Sequence, residues 1–161
     1  MSAKDVLIEQ HTACYDENVW FVAVKNAIAG LTADEAKWKP DGADNSIWEE
    51  VNHLIFWNER WLQRYRGELD YPEDIENTGT FKSEESDWKA TCKKLFAVMD
   101  EWRAELKNVT EEKLSSPVND QYQEPFFKPL AQQNIHNAYH TGQILLLRKL
   151  QGSWDRTKGV S

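Results

Sequence analysis

A chain of 161 residues, 40% hydrophobic and 12% aromatic, carries too much apolar side chain for a disordered segment and enough mass to bury one core, so a single domain over 1–161 is expected. The formal charge is -8, and no Lys/Arg cluster is long enough to follow a phosphate backbone, which argues against nucleic acid as partner. No stretch approaches the roughly eighteen uncharged apolar residues of a membrane span, and the start, MSAKDVLIEQ, has no apolar core of signal-peptide length, so the expectation is a soluble, cytoplasmic protein without a membrane partner.

Four long segments carry helical periodicity with recognisable punctuation at their ends, which predicts an all-α fold, a four-helix bundle. The first is expected from Ala3 to Ala29, opened by Ser2 and closed by Gly30, with Leu7, His11, Cys14, Asn18 and Val22 facing inward. The second starts at Ser46, with Glu49 completing a capping box, and runs to Gly67 through the seam Ile47, Val51, Leu54, Asn58, Trp61 and Tyr65. The third is expected over Glu84 to Lys107 with Ser83 as its cap, and the fourth from Pro129 to Gly152.

The connections read as loops with short helical turns. Thr32 and Thr110 are each placed to cap a single turn, and Pro40, Pro117 and Pro125 prevent continuation. Residues 68–82 are different, because fifteen residues reach up to about 50 Å and a twenty-residue helix is about 30 Å long. That segment is long enough to cross the bundle, so the second and third helices can run parallel or as a hairpin, and composition does not choose between them. Cys14 and Cys92 lie far apart, outside any C-x-x-C pair, and are expected to be buried, inert thiols.

The chain has four histidines. His136 and His140 stand four apart in a helix and share a face with Gln143, Leu147 and Leu150, which is the spacing of a metal-ligand pair. Two imidazoles in a core are costly unless satisfied, by a metal or by bonds to Asn134, Asn137, Tyr139 or Gln143. His53 is the natural third ligand, but the helical wheel sets it opposite the seam of its own helix, beside Phe56 and Trp57. Either that helix is buried on two faces or His53 lies on the surface.

His11 sits in the seam of the first helix with Cys14 and Asn18, as a pocket residue or a satisfied core histidine. Trp48, Trp57, Trp61, Trp88 and Trp102 recur at helical spacing and are expected chiefly to fill the core, a few walling a pocket mouth. The candidate pocket residues are therefore His11, Asn18, Trp57 and Gln143. Three neutral imidazoles without a thiolate describe an unfinished coordination sphere, with positions left for water or substrate. A divalent metal there generates a nucleophile, which points to an enzyme; no H-E-x-x-H, G-x-S-x-G or P-loop motif is present.

The run SIWEEVNHLIFWNERWLQRYRG, followed much later by NIHNAYHTGQILLLRKLQG, resembles the DinB/YfiT-like superfamily of DNA-damage-inducible four-helix bundles over essentially the whole chain. The resemblance implies that His53, His136 and His140 are metal ligands and that the bundle runs up-down-down-up, with 68–82 crossing from end to end. It then requires an axial offset, since His53 and His136 each lie about 10 Å from the start of antiparallel helices. Members include transferases that join low-molecular-weight thiols to electrophiles. A metal-dependent thiol S-transferase acting on small molecules is therefore expected, with zinc or nickel as the metal, or iron or manganese. The alternatives are a metal-dependent hydrolase, with His11 as the available base, and a non-catalytic metal-binding stress-response protein, which could be a homodimer.

Overall fold

The computed structural model describes residues 1–70 and 72–159. In chain order the helices are α1 (Ala3–Tyr15), α2 (Val24–Ala27), α3 (Ala33–Lys37), α4 (Ile47–Arg66), α5 (Trp88–Asn108), α6 (Glu111–Ser115) and α7 (Phe127–Leu150), with 3-10 turns at Asn77–Phe81 and Arg156–Lys158. The fold is all-α, a helical bundle built on α1, α4, α5 and α7. No helix among the described residues is long and apolar enough to cross a membrane.

Local chemistry sets most boundaries. Ser2, Thr32 and Ser46 each accept from the backbone N–H three residues on, while Asp5, Glu35 and Glu49 reach back to the cap N–H, so α1, α3 and α4 open on reciprocal capping boxes. Thr110 caps α6 as its sequence predicts. Gly67 ends α4 at φ 75°, and Glu68 N–H donates to the Gln63 carbonyl at 2.8 Å, closing the last turn in a conformation that a side chain would strain.

Three expected boundaries are corrected. Helix α1 stops at Tyr15, not Ala29: Arg103 holds Asp16 at 2.5 Å, and the Asn18 side-chain oxygen accepts from Ala23 N–H at 3.0 Å and from Asn26 at 2.9 Å. This side-chain competition for backbone groups makes 16–23 a loop, and Val22 is buried from that loop rather than from a helix. Helix α5 opens at Trp88 with Asp87 as its cap, because Ser83 spends its hydroxyl on Glu85 N–H in a local turn. Helix α7 begins two residues before Pro129, which still falls in the first turn, where its missing N–H costs nothing.

Side-chain pairs give the helix directions. Trp48 packs on Trp88, Glu59 pairs with Lys94, and Arg66 bonds Glu101 and Glu105, so α4 and α5 run parallel and the segment between them returns across the bundle. His11 meets the Met99 carbonyl and Tyr15 that of Phe96, so α1 runs against α5. Helices α4 and α7 are also antiparallel, joined at Tyr65–Phe126 and at Glu50–His140.

The core lies between these helices around Val51, Leu54, Leu95, Met99 and Ile144. Trp48, Trp88 and Trp102 are buried, and the last two donate their indole N–H to the Leu31 and Asn58 carbonyls at 2.9 and 3.0 Å. Helix α4 is buried on two faces. Val51, Leu54, Asn58 and Leu62 form the seam, while Glu50 and His53 are enclosed by α7 and the turn at Asn77–Phe81. This resolves the position of His53, which is 2% exposed.

Candidate metal centre

His53, on the second buried face of α4, meets His136 and His140, one helical turn apart on α7; their potential ligand nitrogens all lie within 4.8 Å of one another. The axial offset comes from α7 beginning beside the far end of α4. From Tyr65 back to His53 is about 18 Å of helix, and from Phe126 on to His136 about 15 Å, so the two histidines reach the same height. Helix α7 then overshoots the start of α4 and delivers Arg148 to the Ala27 carbonyl at 2.7 Å.

The hydrogen bonds set the imidazole tautomers. Thr80 donates its hydroxyl to the Asn77 carbonyl at 2.6 Å, so the same oxygen accepts from Nδ1–H of His53 at 2.6 Å. Glu50, 2% exposed, accepts from Nδ1 of His140 at 2.6 Å. Both arrangements leave Nε2 as a bare lone pair, the form that binds metal. Phe81 stacks on the His53 ring at 4.0 Å and 10°, which fixes its plane. Burial, and then the neighbouring imidazoles, push His53 down to about 3; burial and His140 push His136 down to about 4. Both are neutral at neutral pH.

The donor set fits a divalent transition ion. Nε2 of His53 and Nε2 of His136 are 3.0 Å apart, while the buried Nδ1 of His136 has no partner among the described residues. Two lone pairs aimed at each other repel unless a proton or a cation lies between them. Two nitrogens bound to one zinc-sized ion at about 2.1 Å lie about 3.4 Å apart in a tetrahedral site, so the 3.0 Å pair is already that close, and a pair at the 4.8 Å limit has to close by about 1.4 Å.

The three rings open onto a cleft of about 600 Å³. Trp57, Trp61, Phe81 and Tyr139 supply aromatic walls, and Asn45, Asn77, Gln132, Gln133 and Gln143 neutral amides. Trp57 and Gln143 thus stand in the cleft, as the sequence reading expects, and the Trp57 indole donates to Asn77 at 3.3 Å. His11 and Asn18 are not brought to it. Buried His11 bonds the Met99 carbonyl at 2.9 Å and borders, with Asn58, Trp102, Gln133 and Asn134, a small separate void instead of the histidine cleft. Asn18 is exposed and organises the 16–23 loop, donating also to the Lys158 carbonyl at 3.2 Å. Cys14 is buried as expected, whereas Cys92 is only partly so; burial pushes both thiols up to about 11, which leaves them protonated.

Glu50, Thr80 and Phe81 escape the sequence reading. Glu50 sits three residues before His53, so helical spacing alone puts its carboxylate on the same face, yet in a first turn it looks like ordinary dipole chemistry. Thr80 and Phe81 belong to the crossing segment and carry no local signal.

A family model described as the DinB superfamily matches residues 17–144. No curated protein and no solved structure matches the chain. The family match runs from the loop after α1 into α7 and takes in all three histidines, and the chain belongs to the DinB superfamily.

Proposed function

We propose that the protein is a metal-dependent enzyme that transfers a low-molecular-weight thiol to an electrophilic small molecule. The observation that carries this reading is the base content of the cleft. Among the described residues that line it, Glu50 is the single carboxylate, and it is committed to His140. His11, the base a hydrolase would have used, bonds the Met99 carbonyl instead. A thiol ionises near pH 8.5 and needs only slight help, whereas water starts from 15.7 and gains from a positioned base.

In this reading His53, His136 and His140 hold a divalent transition metal such as zinc or nickel, with iron and manganese also compatible. The metal supplies Lewis acidity that favours the thiolate form of a thiol brought into the cleft. Glu50 and Thr80 keep two of the rings in the ligating tautomer, and Phe81 fixes the His53 plane. Trp57, Trp61 and Tyr139 offer faces for the carbon skeleton of an electrophile, while Gln132, Gln133 and Gln143 offer neutral hydrogen bonds.

The test incubates the metal-loaded protein with a chromogenic electrophile and a panel of thiols of different charge. Conjugation by at least one thiol, abolished by a chelator and by His136→Ala, is the expected result. Metal-dependent hydrolysis of model esters or amides with no conjugation of any thiol would replace this proposal with the hydrolase.

A further inference from the structure

The outward face of α7 has a pattern that contacts among the described residues do not account for, although Gln132 and Tyr139 also reach the cleft. Gln132, Ile135, Tyr139, Gly142, Leu146 and Leu150 follow one another at steps of three and four, the spacing of a helix-packing seam. Ile135, Tyr139, Leu146 and Leu150 are 63%, 66%, 56% and 59% exposed. Helix α7 contains no Asp or Glu, in a chain with 27 of them. An apolar stripe of this length facing water signals a partner surface.

Gly142 is the second, independent observation. A mid-helix glycine weakens a helix relative to alanine. Its φ is not positive, and a Cβ built there would meet nothing within 4 Å among the described residues, so neither backbone conformation nor packing among them calls for glycine. Space kept open on an exposed apolar stripe is useful to something that enters from outside.

We infer that α7 is the two-fold interface of a homodimer, two copies of the helix packing antiparallel along this stripe. With the axis at the height between residues 140 and 141, Tyr139 of one copy lies over Gly142 of the other, Ile135 meets Leu146, and Gln132 meets Lys149. Each pair is equidistant from that point, so the stripe complements itself, as an isologous interface requires. The glycine then makes room for the tyrosine ring. No like charges face each other along the seam, since Ile135 to Leu146 contains no Asp, Glu, Lys or Arg and the cations of α7, Lys128, Arg148 and Lys149, lie near its ends; antiparallel helices also set their end dipoles in opposition. The four exposed apolar side chains offer roughly 450 Å² per copy, more than half of the ~800 Å² per partner in a standard interface.

The interface adjoins the histidine centre. Tyr139 stands edge-on to His140 with ring centroids 5.0 Å apart, and it lines the cleft with Gln143, so the second copy walls one side of the cleft.

Sedimentation equilibrium over a concentration series tests the interface. The full chain is expected at twice its 18.8 kDa mass. Ile135→Glu and Leu146→Glu should each convert it to monomer with helical circular dichroism unchanged. Gly142→Leu, which improves helix propensity while filling the space for Tyr139, should raise the melting temperature of the monomer and still weaken the dimer at least tenfold. Trp20→Glu, at a loop residue 96% exposed, should leave the dimer intact. A wild-type monomer at every concentration, a dimer that survives both α7 charges, or one broken only by Trp20→Glu would overturn the inference.

Discussion

Replacing Glu50 by Gln separates what the buried carboxylate does for the metal centre from what it does for the fold. The carboxylate is 2% exposed and accepts from His140 Nδ1 at 2.6 Å. A carboxylate can only accept, so it forces the proton onto Nδ1 and leaves Nε2 free; a Gln amide can accept or donate, and the tautomer is no longer set. Loss of such an outer partner costs about 10–100-fold in metal affinity, or roughly 1.4–2.7 kcal/mol. The metal-free fold should respond differently. A buried charge costs desolvation that its neutral near-isostere avoids, so urea stability without metal should change by less than about 1 kcal/mol or increase. Competition titration of zinc against a chromophoric chelator, beside urea melts of the metal-free proteins, measures both quantities. Unchanged affinity would refute the tautomer argument. A metal-free protein that loses several kcal/mol would show that Glu50 serves the fold.

Acid should destabilise the protein through His11. Burial pushes it down to about 4 from the ordinary histidine value of about 6.5, so between these values the unfolded chain binds the extra proton and the folded chain does not. Stability is then fully present above about pH 6.5 and falls as pH drops, by about 3 kcal/mol at pH 4 from this residue alone. Urea melts of the metal-free protein from pH 7 to 4 should show the slope, to which buried His53 and His136 also contribute, and His11→Gln should reduce the loss at pH 4 by about 3 kcal/mol; an unchanged slope would mean that His11 is already protonated in the fold. Asn18→Ala should lower stability by about 1 kcal/mol through the loss of its bonds to Ala23 N–H and Asn26, with zinc affinity unaltered. A change in zinc affinity would return Asn18 to the site.

Much of the fold is legible from neighbours in sequence. Ser46 with Glu49, Thr32 with Glu35 and Gly67 mark helix ends because a cap is a contact between residues three or four apart. His136 and His140 stand together for the same reason, one turn apart on one helix. The prediction that α1 continues through Asn18 fails because Leu7, His11, Cys14, Asn18 and Val22 keep helical spacing while the side chains of Asp16 and Asn18 have better partners elsewhere. Periodicity registers which residues are apolar, not where a polar side chain finds its hydrogen bonds.

His53 shows the limit most sharply. Its wheel position opposes the seam of α4, and only a second buried face, made by α7 and the Asn77–Phe81 turn, turns that position inward. Two observations separated by long stretches of chain create this face: the axial alignment set where Phe126 packs on Tyr65, and the return of the chain across the bundle, which brings Thr80 and Phe81 to the histidine. Neither has a short-range signature. The sequence by itself determined that four long helices form, the caps at Ser2, Thr32, Ser46, Gly67 and Thr110, and the His136–His140 pair, because each is a contact within one or two helical turns. The meeting of that pair with His53, the setting of the His53 and His140 tautomers by Thr80 and Glu50, and the placement of His11 and Asn18 away from the cleft were decided by tertiary structure, because convergence depends on helix register and direction, which many distant side chains set together.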